Sequence, residues 1–369
     1  MGSDQLIAQL LKGIADERVI DFASKRVAHS KLCEVERKIM RAIYSKSSPS
    51  IIMVYGPTGV GKTTLLERLV QDIEDISTKA SDKIPCASFE LPSVSTKGFS
   101  WPGYYKKVLS ALNEPLVHKK KSLERMGKVT KDGTIILNRH SSSVEDYREA
   151  VESALRWRNP DALLIDEAQH LLKIRSSEFG DQMDTVKSMA NISGVKHVFL
   201  GTYELLNLVD LSGQLNRRTV EIEFPRYRFN IEEEREEFFN TYVNLLRNLP
   251  IEHSSLHQVG DEYIYERTLG CVGLLKDWLI RGLELALDNN DSFLDINHLN
   301  ETEESNASLN KIFDEIEYGE SKLSSREKLD SSRVLGGGTN PKTVPPKSNS
   351  RGNRPPGERS PSRDAVGQE

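Results

Sequence analysis

Residues Gly56-Pro57-Thr58-Gly59-Val60-Gly61-Lys62-Thr63 fit the pattern G-x-x-x-x-G-K-[ST]. The chemistry asks for these residue types at these spacings. Glycines 56, 59 and 61 let backbone N–H groups curl around an anion with no Cβ in the way. Lys62 can reach the β- and γ-phosphates of a nucleotide, and the Thr63 hydroxyl is placed to hold Mg²⁺. The flanks agree with this reading. Ile51 to Tyr55 is an apolar run that predicts a strand buried on both faces, and Leu65, Leu66 and Leu69 recur at helical spacing. A helix starting near Lys62 points its positive dipole end at the phosphates. Gly56 through Thr64 is therefore the expected phosphate cradle.

A second half-site should lie at an acidic strand end, and Leu163-Leu164-Ile165-Asp166-Glu167 supplies one about a hundred residues downstream. Asp166 would hold Mg²⁺, directly or through water, and Glu167 would polarise the attacking water. The paired acids point to ATP hydrolysis. A GTP switch would bring an Asn-Lys-x-Asp guanine reader, which the sequence lacks. The next apolar run ends Leu200-Gly201-Thr202-Tyr203-Glu204. Thr202 is the candidate γ-phosphate sensor; capping of a following helix is the alternative reading. Gln214 to Thr219 places Arg217 and Arg218 just before another strand. An arginine there can reach a neighbouring subunit's ATP in a ring-forming ATPase. The alternative is a pair of solvated arginines at a helix C-terminus.

The elements that must position these groups alternate. Strands are expected at Ile84–Leu91, Asp161–Asp166, Lys196–Gly201 and Thr219–Phe224, with helices near Tyr104–Leu112 and Val144–Trp157. Such alternation predicts an α/β fold, a parallel sheet sandwiched by helices. Residues 1–50 read as an N-terminal helical segment, with Leu32, Val35, Ile39 and Ile43 on one apolar face. Residues 51–229 read as the ATPase core, 230–319 as a small all-helical lid, and 320–369 as a disordered Pro/Gly/Ser-rich tail.

The chain has 369 residues and a formal net charge of −5. Residues 331–369 carry seven Lys/Arg and three Asp/Glu, so residues 1–330 carry −9 and any nucleic-acid site must be a local patch. Cys33, Cys86 and Cys271 lack metal-ligand spacing and read as small buried apolar residues in a reducing cytosol. No apolar run reaches membrane-span length, and a cytoplasmic location is expected.

Taken together, the phosphate loop, the Ile-Asp-Glu motif, the Thr after the next strand, the arginine pair and the helical lid resemble the AAA+ family. LGTYELLNLVDLSGQLNRRTVEIEFPRYRF and FELPSVSTKGFSWPGYYKKVLSALNEP are further similar to the TnsC/TniB branch, ATP-dependent regulators of DNA transposition. The resemblance covers roughly residues 16–288. It implies a homo-oligomer that assembles with ATP as a ring or helical filament on duplex DNA, recruits a TnsB-like transposase and disassembles on hydrolysis. A TniQ- or TnsD-like selector would load it. An initiator- or secretion-type AAA+ ATPase, or an ATP-binding signalling switch without DNA, are the competing readings.

AAA+ lids often carry a sensor arginine where this chain has Gly270-Cys271-Val272-Gly273; Lys276 is the possible substitute. DNA contact is expected from Lys106 and Lys107 and from Lys119, Lys120, Lys121, Lys128 and Lys131, in a basic segment (Val117 to His140) read as irregular. A solvated charge run is the alternative. Trp101, Tyr104 and Tyr105 read as packing residues.

Overall fold

A computed structural model describes residues 16–77, 83–92, 99–120, 127–129, 135–137, 142–173, 176–211 and 219–327 of the protein. Helix α1 (Glu17–Ser24) is capped by the Asp16 side chain, and α2 (Ser30–Tyr44) follows. Strand β1 (Ile51–Tyr55) leads through the glycine-rich loop into α3 (Lys62–Ile76). Next come β2 (Cys86–Glu90), α4 (Trp101–Ala111), a short hairpin of β3 (Gly127–Val129) and β4 (Ile135–Leu137), and α5 (Val144–Arg158). Then β5 (Ala162–Asp166), α6 (Ser176–Ser193), β6 (Lys196–Gly201), α7 (Leu205–Leu211) and β7 (Thr219–Glu223) complete this part.

The main sheet has the order β2-β5-β6-β1-β7, and every neighbouring pair is parallel. β1 is buried along its whole length. Because successive side chains alternate across a strand, Ile51, Met53 and Tyr55 join a cluster with Tyr104, Val108 and Leu155, whereas Ile52 and Val54 join Leu32, Ile39, Leu65 and Leu69. That two-sided burial is the reason the strand reads as a continuous apolar run.

The C-terminal region is helical: α8 (Glu232–Leu246), α9 (Asp261–Thr268), α10 (Val272–Asp288), α11 (Ile296–Glu301) and α12 (Asn306–Glu327). Its core groups Phe238, Tyr242, Leu275, Trp278 and Leu283 with Val19 and Phe22 of α1. The two N-terminal helices thus serve different cores, α2 the sheet and α1 the C-terminal helices.

Four expectations need correction. The basic segment is not irregular throughout: it holds a 3₁₀ turn at Val117–Lys119 and the β3–β4 hairpin, in which Lys128 pairs with Ile136. The run Ile135-Ile136-Leu137 and the Asp132-Gly133 dipeptide carried that signal. Helix α6 lies in a stretch where no helix was expected. Helix α12 runs to Glu327, past the expected onset of the tail, and residues 328–369 lie outside the described ones. Cys33 is exposed, because its neighbour Leu32 takes the inward position of α2; Cys86 and Cys271 are buried.

The N-terminus of α10 sits directly on the glycine-rich loop. Leu274 donates its backbone N–H to Gly59 O at 3.0 Å, and a Cβ at Gly273 would lie 2.3 Å from that oxygen. A Gly273→Ala substitution should therefore push the helix off the loop and cost about 1–3 kcal/mol in denaturant unfolding.

Two imidazoles, those of His29 and His197, are buried. His29 contacts the Tyr227 hydroxyl at 2.9 Å, and His197 donates from Nδ1 to Val195 O at 3.0 Å while its Nε2 has no hydrogen-bond partner. Burial holds both near pKa 4, from 6.5, with Lys31 and Arg68 adding to the effect at His29. The unfolded chain therefore binds protons first as pH falls. The stability these neutral rings contribute is complete above pH 6.5 and is lost on the way down to about 4, by up to about 3 kcal/mol per ring. Equilibrium unfolding between pH 7 and 4 checks this, and His197→Leu should flatten part of the slope.

Candidate functional site

Strand register gathers the predicted residues on one edge. Tyr55 at the end of β1 lies opposite Gly201 at the end of β6, and Ile165 of β5 lies opposite Phe199. The loops leaving β1, β5 and β6 thus open together at the carboxyl edge. There the chain order of the sheet reverses, the place where open α/β sheets form a crevice.

The glycine-rich loop turns through two left-handed backbone positions, Gly59 (φ +76°) and Gly61 (φ +109°), which only glycine adopts without strain. Gly61 caps α3, and Lys62 is its first residue. The Lys62 ammonium is buried and folds back on the loop, donating to Gly56 O at 3.0 Å and Pro57 O at 2.8 Å. Burial lowers its pKa, and the attraction of Glu315, Glu167 and Asp166 opposes that shift.

Thr63 Oγ1 donates to Asp166 Oδ2 at 3.1 Å, joining residues 103 positions apart. Asp166 Oδ1 in turn accepts the Glu167 backbone N–H at 2.9 Å. Glu167 occupies a left-handed backbone position (φ +54°), a strained one for a residue with a side chain. Its carboxylate accepts from Gln169 Nε2 at 2.6 Å, and Gln169 Oε1 accepts the Thr202 backbone N–H at 3.2 Å. One buried amide thus connects the acidic strand end with the end of β6. Sequence reading passed over Gln169, although it lies two residues past Glu167. The Thr202 hydroxyl accepts the Glu204 N–H at 3.3 Å, a local contact at the start of α7.

This donor set fits a nucleotide and its metal. A hydroxyl and a carboxylate oxygen are hard ligands suited to Mg²⁺, which keeps waters and phosphate oxygens in the rest of its shell. No cluster of three or more His, Cys, Asp or Glu placed to hold a metal ion occurs among the described residues. Beside the loop lies a small cavity of about 40 Å³ lined by Val27, His29, Val60, Thr64, Gly273 and Lys276, among others. Lys276 lies at the edge of this cavity. Its ammonium donates to Ala23 O at 2.6 Å and Lys25 O at 2.7 Å, at the C-terminus of α1.

Of the basic residues, Lys107 is exposed on α4, Lys106 lies 5.1 Å over the Tyr147 ring, and Lys120 pairs with Glu114 at 2.9 Å. Lys106, Lys107 and the 3₁₀ turn border one open cavity of about 630 Å³. Lys121, Lys131, Arg217 and Arg218 lie outside the described residues, as do the side chains of Lys119 and Lys128. Trp101, Tyr104 and Tyr105 are buried and pack against one another. No helix among the described residues is long and apolar enough to cross a membrane.

Known proteins share part of this sequence pattern and its fold. None of the curated proteins compared with the chain matches its sequence. Among solved structures, the ORC1 protein of Aeropyrum pernix in complex with DNA is 14% identical, with 77% of this chain and 67% of that one covered and a TM-score of 0.52. The Aeropyrum pernix ORC2 protein in ADPNP-ADP complexes is 14% identical over 79% and 72% of the two chains, at a TM-score of 0.48. Cdc6p from Pyrobaculum aerophilum is 14% identical over 76% and 68%, at 0.46. Residues 45–209 match the family model of an AAA domain, and the chain has the P-loop AAA+ fold.

Proposed function

We propose that this protein binds ATP with Mg²⁺ and hydrolyses it, and that it uses the cycle to assemble on and leave duplex DNA. The meeting of Thr63 with Asp166 beside the buried Lys62 carries the first half of this reading. Two distant segments place a hydroxyl, a carboxylate and an ammonium around one loop of backbone N–H groups, a combination suited to a polyphosphate.

In this mechanism residues Gly56 to Thr64 wrap the phosphates, and Lys62 exchanges its carbonyl partners for phosphate oxygens. Thr63 and Asp166 would hold Mg²⁺, which would supply charge neutralisation at the phosphates. Glu167 accepts the proton of the attacking water. Gln169 holds the Glu167 carboxylate and also reads the backbone of Thr202, so a shift of the β6 end alters the aim of the base. Thr202 would sense the γ-phosphate. Arg217 or Arg218 would act on the nucleotide of the next subunit in a homo-oligomer.

The second half rests on the resemblance of residues 16–288 to the TnsC/TniB regulators. On that basis the protein forms a ring or filament on target DNA, recruits a TnsB-like transposase and is loaded by a TniQ- or TnsD-like selector. Lys106, Lys107 and the 117–140 segment (Lys119, Lys120, Lys121, Lys128 and Lys131) would meet the DNA backbone. An initiator-like role is the second reading, favoured by the fold likeness to an archaeal ORC1 protein that was solved with DNA.

Electron microscopy with duplex DNA separates these readings: nucleotide-dependent filaments or rings support the assembly reading, and bare DNA removes it. Lys62→Ala should abolish ATP binding. Glu167→Gln should bind ATP, hydrolyse it at least about 100-fold more slowly and accumulate on DNA. Gln169→Ala should lower kcat with little change in KM, measured by phosphate release. Replacing Lys119, Lys120 and Lys121 by Gln should reduce the slope of log K against log salt by about 0.9 for each lysine that touches a phosphate.

A further inference from the structure

The last described helix, α12, crosses the exits of three sheet strands on the nucleotide side. After β1, Thr58 of the glycine-rich loop donates its hydroxyl to Glu315 Oε2 at 2.8 Å. After β6, Gly319 lies so close to the Tyr203 ring that a Cβ there would come within 2.1 Å of it. Nearby, Tyr318 Oη and Lys322 Nζ both donate to Asn207 Oδ1, at 2.7 and 2.6 Å. After β7, Arg226 grips Glu320 with two bonds of 2.9 and 3.2 Å. Ile316 is fully buried between these anchors.

The chemistry of the first contact is unusual. Glu315 brings a carboxylate into a loop whose composition suits phosphate anions. Its Oε1 is buried with no hydrogen-bond partner, a costly arrangement that the nearby Lys62 ammonium offsets. A phosphate entering the loop would meet like charge, since two negative groups a few ångströms apart inside a protein repel strongly. The helix and the carboxylate belong to one arrangement.

We propose that α12 is an autoinhibitory strap whose Glu315 occupies the phosphate loop through Thr58 and must withdraw before a nucleotide seats. This rests on the nucleotide-binding reading above. The anchors at Asn207 and Arg226 are polar and can exchange for water on release, whereas Ile316 and the Tyr203 ring lose their cover. Nucleotide entry thereby frees α12 from the ends of β1, β6 and β7, and the freed helix reports the bound state to the outside.

The test uses the full chain and a fluorescent ATP analogue with Mg²⁺, titrated against wild type, Glu315→Gln, Glu317→Gln and Lys62→Ala. Glu317 is exposed on the same helix and controls for a general change of charge. The strap predicts that Glu315→Gln binds at least about fivefold more tightly, that Glu317→Gln matches wild type, and that amide exchange over residues 306–323 rises when nucleotide is added to wild type. Equal or weaker binding by Glu315→Gln, with wild type binding normally, overturns the strap and leaves the nucleotide site standing. Absence of binding in wild type and Glu315→Gln alike removes the nucleotide reading, and the strap with it.

Discussion

Holding a lysine ammonium inside the protein is costly, and much of this structure follows from meeting that cost. Lys62 is buried at the first turn of α3, where the helix dipole is itself unfavourable to a cation. Two loop carbonyls and three carboxylates compensate it. Supplying those groups requires β1 and β5 to end at the same level, which the parallel register provides. It also requires glycines at the left-handed turns of the loop. Desolvation and compensation together leave a buried cation whose present partners an anionic ligand would have to replace.

The same edge of the sheet is where the C-terminal helices act. α10 seats its N-terminus on Gly59, and α12 spans from Thr58 to Arg226. α1, the first described element, packs among these helices, and Lys276 of α10 satisfies carbonyls at its end. The helical region is thus joined both to α1 and, through backbone contacts, to the glycine-rich loop. Gln169 provides a shorter link of the same kind, between the base and the end of β6.

Much of the fold was legible because it rests on local rules. The apolar run at Ile51–Tyr55 marked a strand covered on both faces, and Leu32, Val35 and Ile39 marked the inward stripe of α2. The small hairpin lies in a segment whose many lysines mask the β character of Ile135-Ile136-Leu137. Cys33 was misplaced because residue type was weighed above its position on the helix. The two carbonyls that Lys276 meets at the end of α1 are likewise beyond what spacing in the chain can indicate.

The sequence by itself determined the strand–loop–helix around Lys62, the acidic strand end at Asp166 and Glu167, and the α/β alternation. Each depends on residues adjacent in the chain, where backbone sterics and hydrophobic period act directly. Only the tertiary structure decided that Gln169 bridges Glu167 to Thr202, that α1 belongs with the C-terminal helices, and that Glu315 reaches Thr58 from 257 positions away. Those contacts are set by how the helices close over the sheet edge. That closure sums many weak packing terms over distant residues, and no short stretch of sequence encodes it.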